Sequence, residues 1–242
     1  MRNTTETVHL LWTGGWDSTY RLLYLLSEGK QVQPHYIIDP GRQSTGPELR
    51  VMEAISERIN RETVRLPGTL LPTEISEKTS SVQSKKIQEA YNSIVKQMYI
   101  GDQYMWLADY CETRDIERME IGIQGTTFVE AVNSVDYPYI EIFGKFCFPI
   151  LSTGKLKMKA WAEATGTLPI MELTWFCHKP TEDAQPCGRC RPCEVAIAEG
   201  MGYRLPLRSL IRYHLRIIPR LRSFAKKFPR VYYVLYSLKH HK

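Results

Sequence analysis

Residues 11–24, LLWTGGWDSTYRLL, constrain the fold more than any other stretch. They begin as a buried strand and end as an amphipathic helix, with two glycines, an aspartate and two hydroxyl residues at the change. Glycine admits a left-handed backbone and close approach of a ligand, and a helix N-terminus offers N–H groups that no carbonyl accepts. Thr13-Gly14-Gly15, with Ser18 at the helix start, therefore reads as a phosphate cradle. A plain strand-to-helix turn capped by Asp17 or Ser18 fits the same letters. Asp17 separates the two readings, because a carboxylate repels phosphate unless a cation such as Mg²⁺ lies between them. The stretch lacks the lysine of a Walker A loop.

Beyond this turn the chain alternates. Val8–Trp12, 32–38, 62–66 and 119–123 read as strands. Ser18–Glu28, the stretch from Thr45 to Asn60, 84–99, 102–114 and 155–165 read as helices, with Gly29 and Gly166 closing the first and the last. Thr45 and Glu48 have the spacing of a capping box. Residues 67–83, rich in Pro, Ser and Thr, read as a loop or lid. Such alternation predicts a mostly parallel sheet with helices on both faces. In that architecture ligands bind beyond the carboxyl ends of the strands, where residues 13–18 would lie.

The second informative stretch is TWFCHKPTEDAQPCGRCRPCE, residues 174–194. Cys187, Cys190 and Cys193 have C-x₂-C-x₂-C spacing, and Cys177 precedes them. Four thiolates presented by a tight turn suit a closed tetrahedral Zn²⁺ site. A cubane iron–sulfur cluster takes the same ligands; adjacent His178 could replace one of them, but a role outside the ligand set suits it better. Cys111 and Cys147 lie in apolar contexts and read as core residues. Asp17 interrupts the early apolar run, so no secretory signal is expected. Six cysteines in a chain of 242 residues then point to metal chemistry in a reducing, cytoplasmic compartment.

In this order the two stretches resemble the PP-loop pyrophosphatases, or adenine nucleotide alpha hydrolases, and within them the 7-cyano-7-deazaguanine synthases. YIIDPGRQ (36–43), IGIQ (121–124) and STGKLKMKAWAEATG (152–166) carry the likeness further. The resemblance implies an adenine nucleotide alpha hydrolase-like fold, followed by a Cys₄ element and a basic helical tail. It implies ATP, Mg²⁺ and Zn²⁺ as cofactors, a small carboxylate as substrate, and a homo-oligomer. Leu11, Trp12, Thr13, Gly14, Gly15, Trp16, Asp17, Ser18 and Thr19 would surround the nucleotide, with Asp17, Ser18 and Lys155 catalytic. Lys157 and Lys159 lie near enough to compete with Lys155 for the phosphate. Cys177, Cys187, Cys190 and Cys193 would hold the metal as a structural brace. The activity implied is adenylation of a carboxylate with release of pyrophosphate, then formation of an amide or nitrile. The likeness has gaps: Thr13 replaces a serine, an Arg-Asn pair is missing near residues 100–103, and the family's aspartate-rich tyrosine segment is absent from 125–146. An altered substrate is expected.

The expected modules are 1–171 for ATP, 172–200 for the cysteines and 201–242 for the tail. Net charge is +6, yet residues 200–242 hold seven arginines, four lysines and no acidic residue. Arg204, Arg208, Arg212, Arg216 and Arg220 recur at helical spacing, beside an arc of Leu207, Leu210, Ile211, Leu215 and Ile218. That arc either docks on the body or leaves the arginines for RNA or an anionic membrane surface. A tail that binds RNA would suit a tRNA-modifying PP-loop enzyme, including the thiolases. A zinc-braced binding module without activity is the third class, disfavoured by the intact Gly14, Gly15, Asp17 and Ser18.

Overall fold

The computed structural model describes residues 7–61, 66–79, 81–124 and 129–215. The chain divides into two compact units, Met1–Trp175 and Phe176–Lys242. The first unit is a six-stranded parallel sheet in the order β3-β2-β1-β5-β6, with β4 also on β2. Its strands are β1 (Thr7–Leu11), β2 (Gln31–Ile38), β3 (Thr69–Leu70), β4 (Glu74–Glu77), β5 (Met119–Ile121) and β6 (Phe146–Cys147).

Helices cover both faces of the sheet. One group comprises α1 (Trp16–Ser27), α2 (Thr45–Asn60), α7 (Lys155–Ala164) and α8 (Leu168–Met171), which pack on one another. The other comprises α3 (Lys85–Val95), α4 (Gln103–Thr113), α5 (Val129–Asn133) and α6 (Tyr139–Phe143). Ile87, Ile94, Leu107 and Phe143 of this second group bury against Ile37, Met119 and Ile121 of the sheet. The apolar positions repeat at helical spacing in the helices, which turn their buried faces to the sheet. Among the described residues no helix is long and apolar enough to cross a membrane.

Two local expectations are corrected. Residues 67–83 are not wholly a loop, because β3 and β4 pair in parallel with the two ends of β2. The break between them faces Pro34, and Pro72 lies opposite. Neither has an N–H to continue the ladder, and Gln33 Nε2 bridges the gap to the Pro72 carbonyl at 2.8 Å. Thr45 does not form a capping box. Ser44 is the N-cap of α2 and makes no side-chain cap. Glu48 is instead drawn inward by the Ser44 hydroxyl at 2.6 Å and the Tyr36 hydroxyl at 2.8 Å. The strand expected at 62–66 falls mostly outside the described residues.

A histidine pair, His35 buried and His9 half-buried, ties β1 to β2. His9 Nδ1 lies 2.8 Å from His35 Nε2, and His35 Nδ1 lies 3.0 Å from the Tyr110 hydroxyl. Burial, then the neighbouring His9 and Arg114, lower the His35 pKa to about 4. The unfolded chain therefore binds a proton that the folded chain refuses. The stability this contributes is complete above about pH 6.5 and is lost as pH falls towards 4. Its size is about 3 kcal/mol. Urea melts of the wild type and of His35→Gln between pH 4 and 7 check this, and the variant should show the shallower dependence.

Candidate functional site

Helix α1 begins at Trp16, two residues earlier than the sequence suggested, with Gly15 as an N-cap that no side chain completes. Its first N–H groups therefore face the turn without a carbonyl one turn back. Gly14 has φ +64, and a Cβ there would stand 2.8 Å from Val51 Cγ2. The Gly14 carbonyl accepts from the Trp175 N–H at 2.9 Å, which fixes the outer side of the turn. The Ser18 hydroxyl donates to the Gly15 carbonyl at 3.3 Å. Neither Asp17 nor Ser18 caps the helix, so the plain-turn reading loses its mechanism.

Lys155 is the first residue of α7 and is 138 positions from Asp17 in the chain. Its Nζ lies 2.7 Å and 3.0 Å from the two carboxylate oxygens of Asp17. Lys157 is exposed, and Lys159 pairs with Glu163 at 3.9 Å, so among the three lysines the fold brings Lys155 to the turn. Gln124, just beyond β5, donates to the Thr153 carbonyl and holds the start of α7 beside the strand end.

Of the nine residues expected around a nucleotide, the structure brings Leu11, Thr13, Gly14, Gly15, Asp17 and Ser18 to the turn or its cavity. The side chains of Trp12, Trp16 and Thr19 are buried packing groups, and Trp12 Nε1 donates to Thr19 Oγ1 at 2.9 Å. They shape the turn from beneath.

A cavity of about 140 Å³ opens at this turn, lined by Thr13, Ser18, Ile37, Arg42, Trp106 and Gly122 among others. It lies at the carboxyl ends of β1, β2 and β5. Because β2 and β5 flank β1 on opposite sides, this is where the strand order reverses, the usual ligand crevice of such sheets. A larger cavity of about 370 Å³ shares Ile37 and Trp106 with it and adds Lys78, Asp109, Tyr110 and Arg114. Lys78 stands 4.8 Å over the Trp106 ring.

Arg42 and Trp106 were not among the sequence candidates. Arg42 follows β2, where the strand-end rule could have flagged it, and Glu48 holds its Nε at 3.7 Å. Trp106 carried no local signal. Gly122, within the IGIQ stretch, is required by close approach: a Cβ there would stand 2.8 Å and 2.9 Å from Ser18 Cα and N. Those are backbone atoms and cannot turn aside. Gly122→Ala should cost about 1–3 kcal/mol of stability and push β5 from the turn. Thermal melts and ATP titration check it.

The second unit holds the cysteines. Cys177 precedes the loop, Cys187 and Cys190 lie on it, and Cys193 is in the first turn of α9 (Arg191–Ala198). The four Sγ atoms all lie within 4.8 Å of one another, with separations of 3.5, 3.7 and 3.9 Å. Four thiolates at about 2.3 Å from one zinc ion stand about 3.8 Å apart, so the cluster fits a single tetrahedral ion. In a cubane each thiolate binds its own iron, which spreads the sulfurs farther apart. Backbone N–H groups of Cys187, Arg189 and Cys190 donate to Cys177 and Cys187 sulfurs at 3.2 and 3.3 Å. Among the thiols themselves, the hydrogen bond from Cys177 pushes Cys190 far down, and the same pairing pushes Cys177 up to about 12. Holding all four as thiolates in this space takes a dication.

No protein-family model matches the chain, and no curated protein matches it. Among the solved structures similar to this chain are two that follow. One is a 4-thiouridine synthetase–RNA complex with bound ATP, 16% identical at a TM-score of 0.43, covering 88% of this chain and 54% of that one. The other is a predicted subunit of a tRNA methyltransferase from Methanocaldococcus jannaschii, 15% identical at a TM-score of 0.37, covering 65% and 74%. This chain thus spans about half the length of the synthetase.

Proposed function

We propose that this chain is an ATP-dependent enzyme of the PP-loop class that adenylates a carboxylate and converts it to an amide or nitrile, in the manner of 7-cyano-7-deazaguanine synthases. The observation that carries the reading is the meeting of Asp17, Lys155 and an uncapped, glycine-led helix N-terminus at the cavity where the strand order reverses.

The N–H groups of the Gly14–Ser18 turn bind the β and γ phosphates, and Lys155 and Arg42 offset their charge. Asp17 would hold a Mg²⁺ ion, which would supply further charge neutralisation; a carboxylate together with substrate phosphates is its usual protein site. Without nucleotide, Lys155 keeps that carboxylate neutralised. The substrate carboxylate attacks the α phosphorus and pyrophosphate leaves, giving an acyl adenylate. Ammonia then displaces AMP to give the amide. In the nitrile branch the amide oxygen attacks a second ATP, pyrophosphate leaves, and loss of AMP and two protons yields the nitrile. The protein's part is positioning and charge neutralisation. Cys177, Cys187, Cys190 and Cys193 would hold zinc with no open position, and the ion would serve as a structural brace for the second unit.

The test is pyrophosphate release from ATP with 7-carboxy-7-deazaguanine, with tRNA, or with neither. Release with the deazaguanine supports the full reading. Release with another small carboxylate alone keeps the chemistry and replaces the substrate, as the missing Arg-Asn pair anticipates. Release with tRNA alone selects a tRNA-modifying enzyme instead. Lys155→Met should lower release about 10²-fold under any of these substrates.

A further inference from the structure

The second unit carries an exposed apolar stripe beside its cationic residues. Residues 207–215 are helical and follow a short turn, Gly202–Arg204. One side of this segment is anchored: Leu205 and Ser209 are buried, and the Ser209 hydroxyl donates to the Pro186 carbonyl of the cysteine loop. Gly188 of that loop leaves no room for a Cβ against the Ser209 carbonyl. The other side presents Leu207, Ile211 and Leu215 at 73%, 49% and 57% exposure. Their spacing of four puts them in one row. Arg208 and Arg212 follow one residue on, forming a parallel cationic row. Ile218 and the later tail lie outside the described residues.

We propose that this helix lies on an anionic lipid surface, with Leu207, Ile211 and Leu215 in the acyl boundary and the arginines at the phosphate headgroups. Three aliphatic side chains add nothing to binding an RNA backbone, yet they are what an interfacial helix needs. Self-association is disfavoured by charge. Pairing two such stripes would bring their arginine rows together, and residues 200–242 contain no acidic residue to offset them. An anionic bilayer complements both rows at once.

Flotation of the full-length protein with vesicles tests this. It should float with phosphatidylglycerol–phosphatidylcholine vesicles and stay down with phosphatidylcholine alone. The double variant Leu207→Ser/Ile211→Ser should bind about tenfold less. Its melting temperature and zinc content should be unchanged, since both side chains are exposed. Arg208→Glu/Arg212→Glu should lose binding as well. Three results would overturn the proposal: no flotation at low salt, flotation indifferent to the Leu/Ile pair, or a dimer that the Leu/Ile variant dissolves. Salt-sensitive tRNA binding retained by that variant, without flotation, would assign the surface to RNA instead.

Discussion

Asp17→Asn is expected to lower pyrophosphate release by about 10³-fold, the upper end of what one electrostatic group contributes to a transition state. Asparagine keeps the shape of the side chain and removes only its charge. The wild-type carboxylate sits beside N–H groups and Lys155, an arrangement already favourable without nucleotide. Binding phosphate there makes sense only if Asp17 then holds a cation that the phosphates share. The variant loses that cation while its glycine turn and helix stay in place. Its stability should change little, since the Asp17–Lys155 pair is partly solvated and such pairs contribute at most about 1 kcal/mol. Steady-state pyrophosphate assays and thermal melts on the same preparation separate the two effects. Wild-type turnover by a folded Asp17→Asn protein would remove Asp17 from the mechanism.

Cys193→Ser should have the larger effect on folding. Cys177 and Cys193 are fully buried, and all four sulfurs crowd into one small volume. Structural zinc contributes about 10–16 kcal/mol in small zinc domains, more than a segment this size gains from its own apolar core. The variant should lose its zinc and the ordered structure of the second unit, read as increased proteolysis beyond Trp175. A chelator should do the same to the wild type, and added zinc should reverse it. Elemental analysis of the wild type should return one zinc per chain. Iron with visible absorbance would mean that the sulfurs spread to hold a cluster. Asp17→Asn should retain its zinc, which keeps the two predictions independent.

Much of this is legible in local sequence pattern. The strand–glycine–helix turn at 11–24 is written in adjacent residues, because a change of hydrophobic period and a positive φ are both local demands. The C-x₂-C-x₂-C loop is likewise local, since short spacing alone brings three sulfurs to one ion. Strand–helix alternation is enough to predict a parallel sheet covered on both faces.

What the tertiary structure decided are the meetings of distant residues. Three lysines on one helix look equivalent in the sequence, and only the packing of α7 against α1 brings Lys155 to Asp17. Gly122 has no local reason to be glycine until β5 is laid against the start of α1. Arg42 and Trp106 become cavity residues only when β2 and α4 meet at the strand ends. Residues 67–83 resemble a loop because their strands are two and four residues long, too short to show a period, and pairing with β2 orders them. The helix at 207–215 shows the same division. Its sequence specifies an apolar row and a cationic row, but anchoring of buried Ser209 on the cysteine loop sets which side faces solvent. Periodicity fixes which residues share a face; only packing against residues far away in the chain fixes what that face meets.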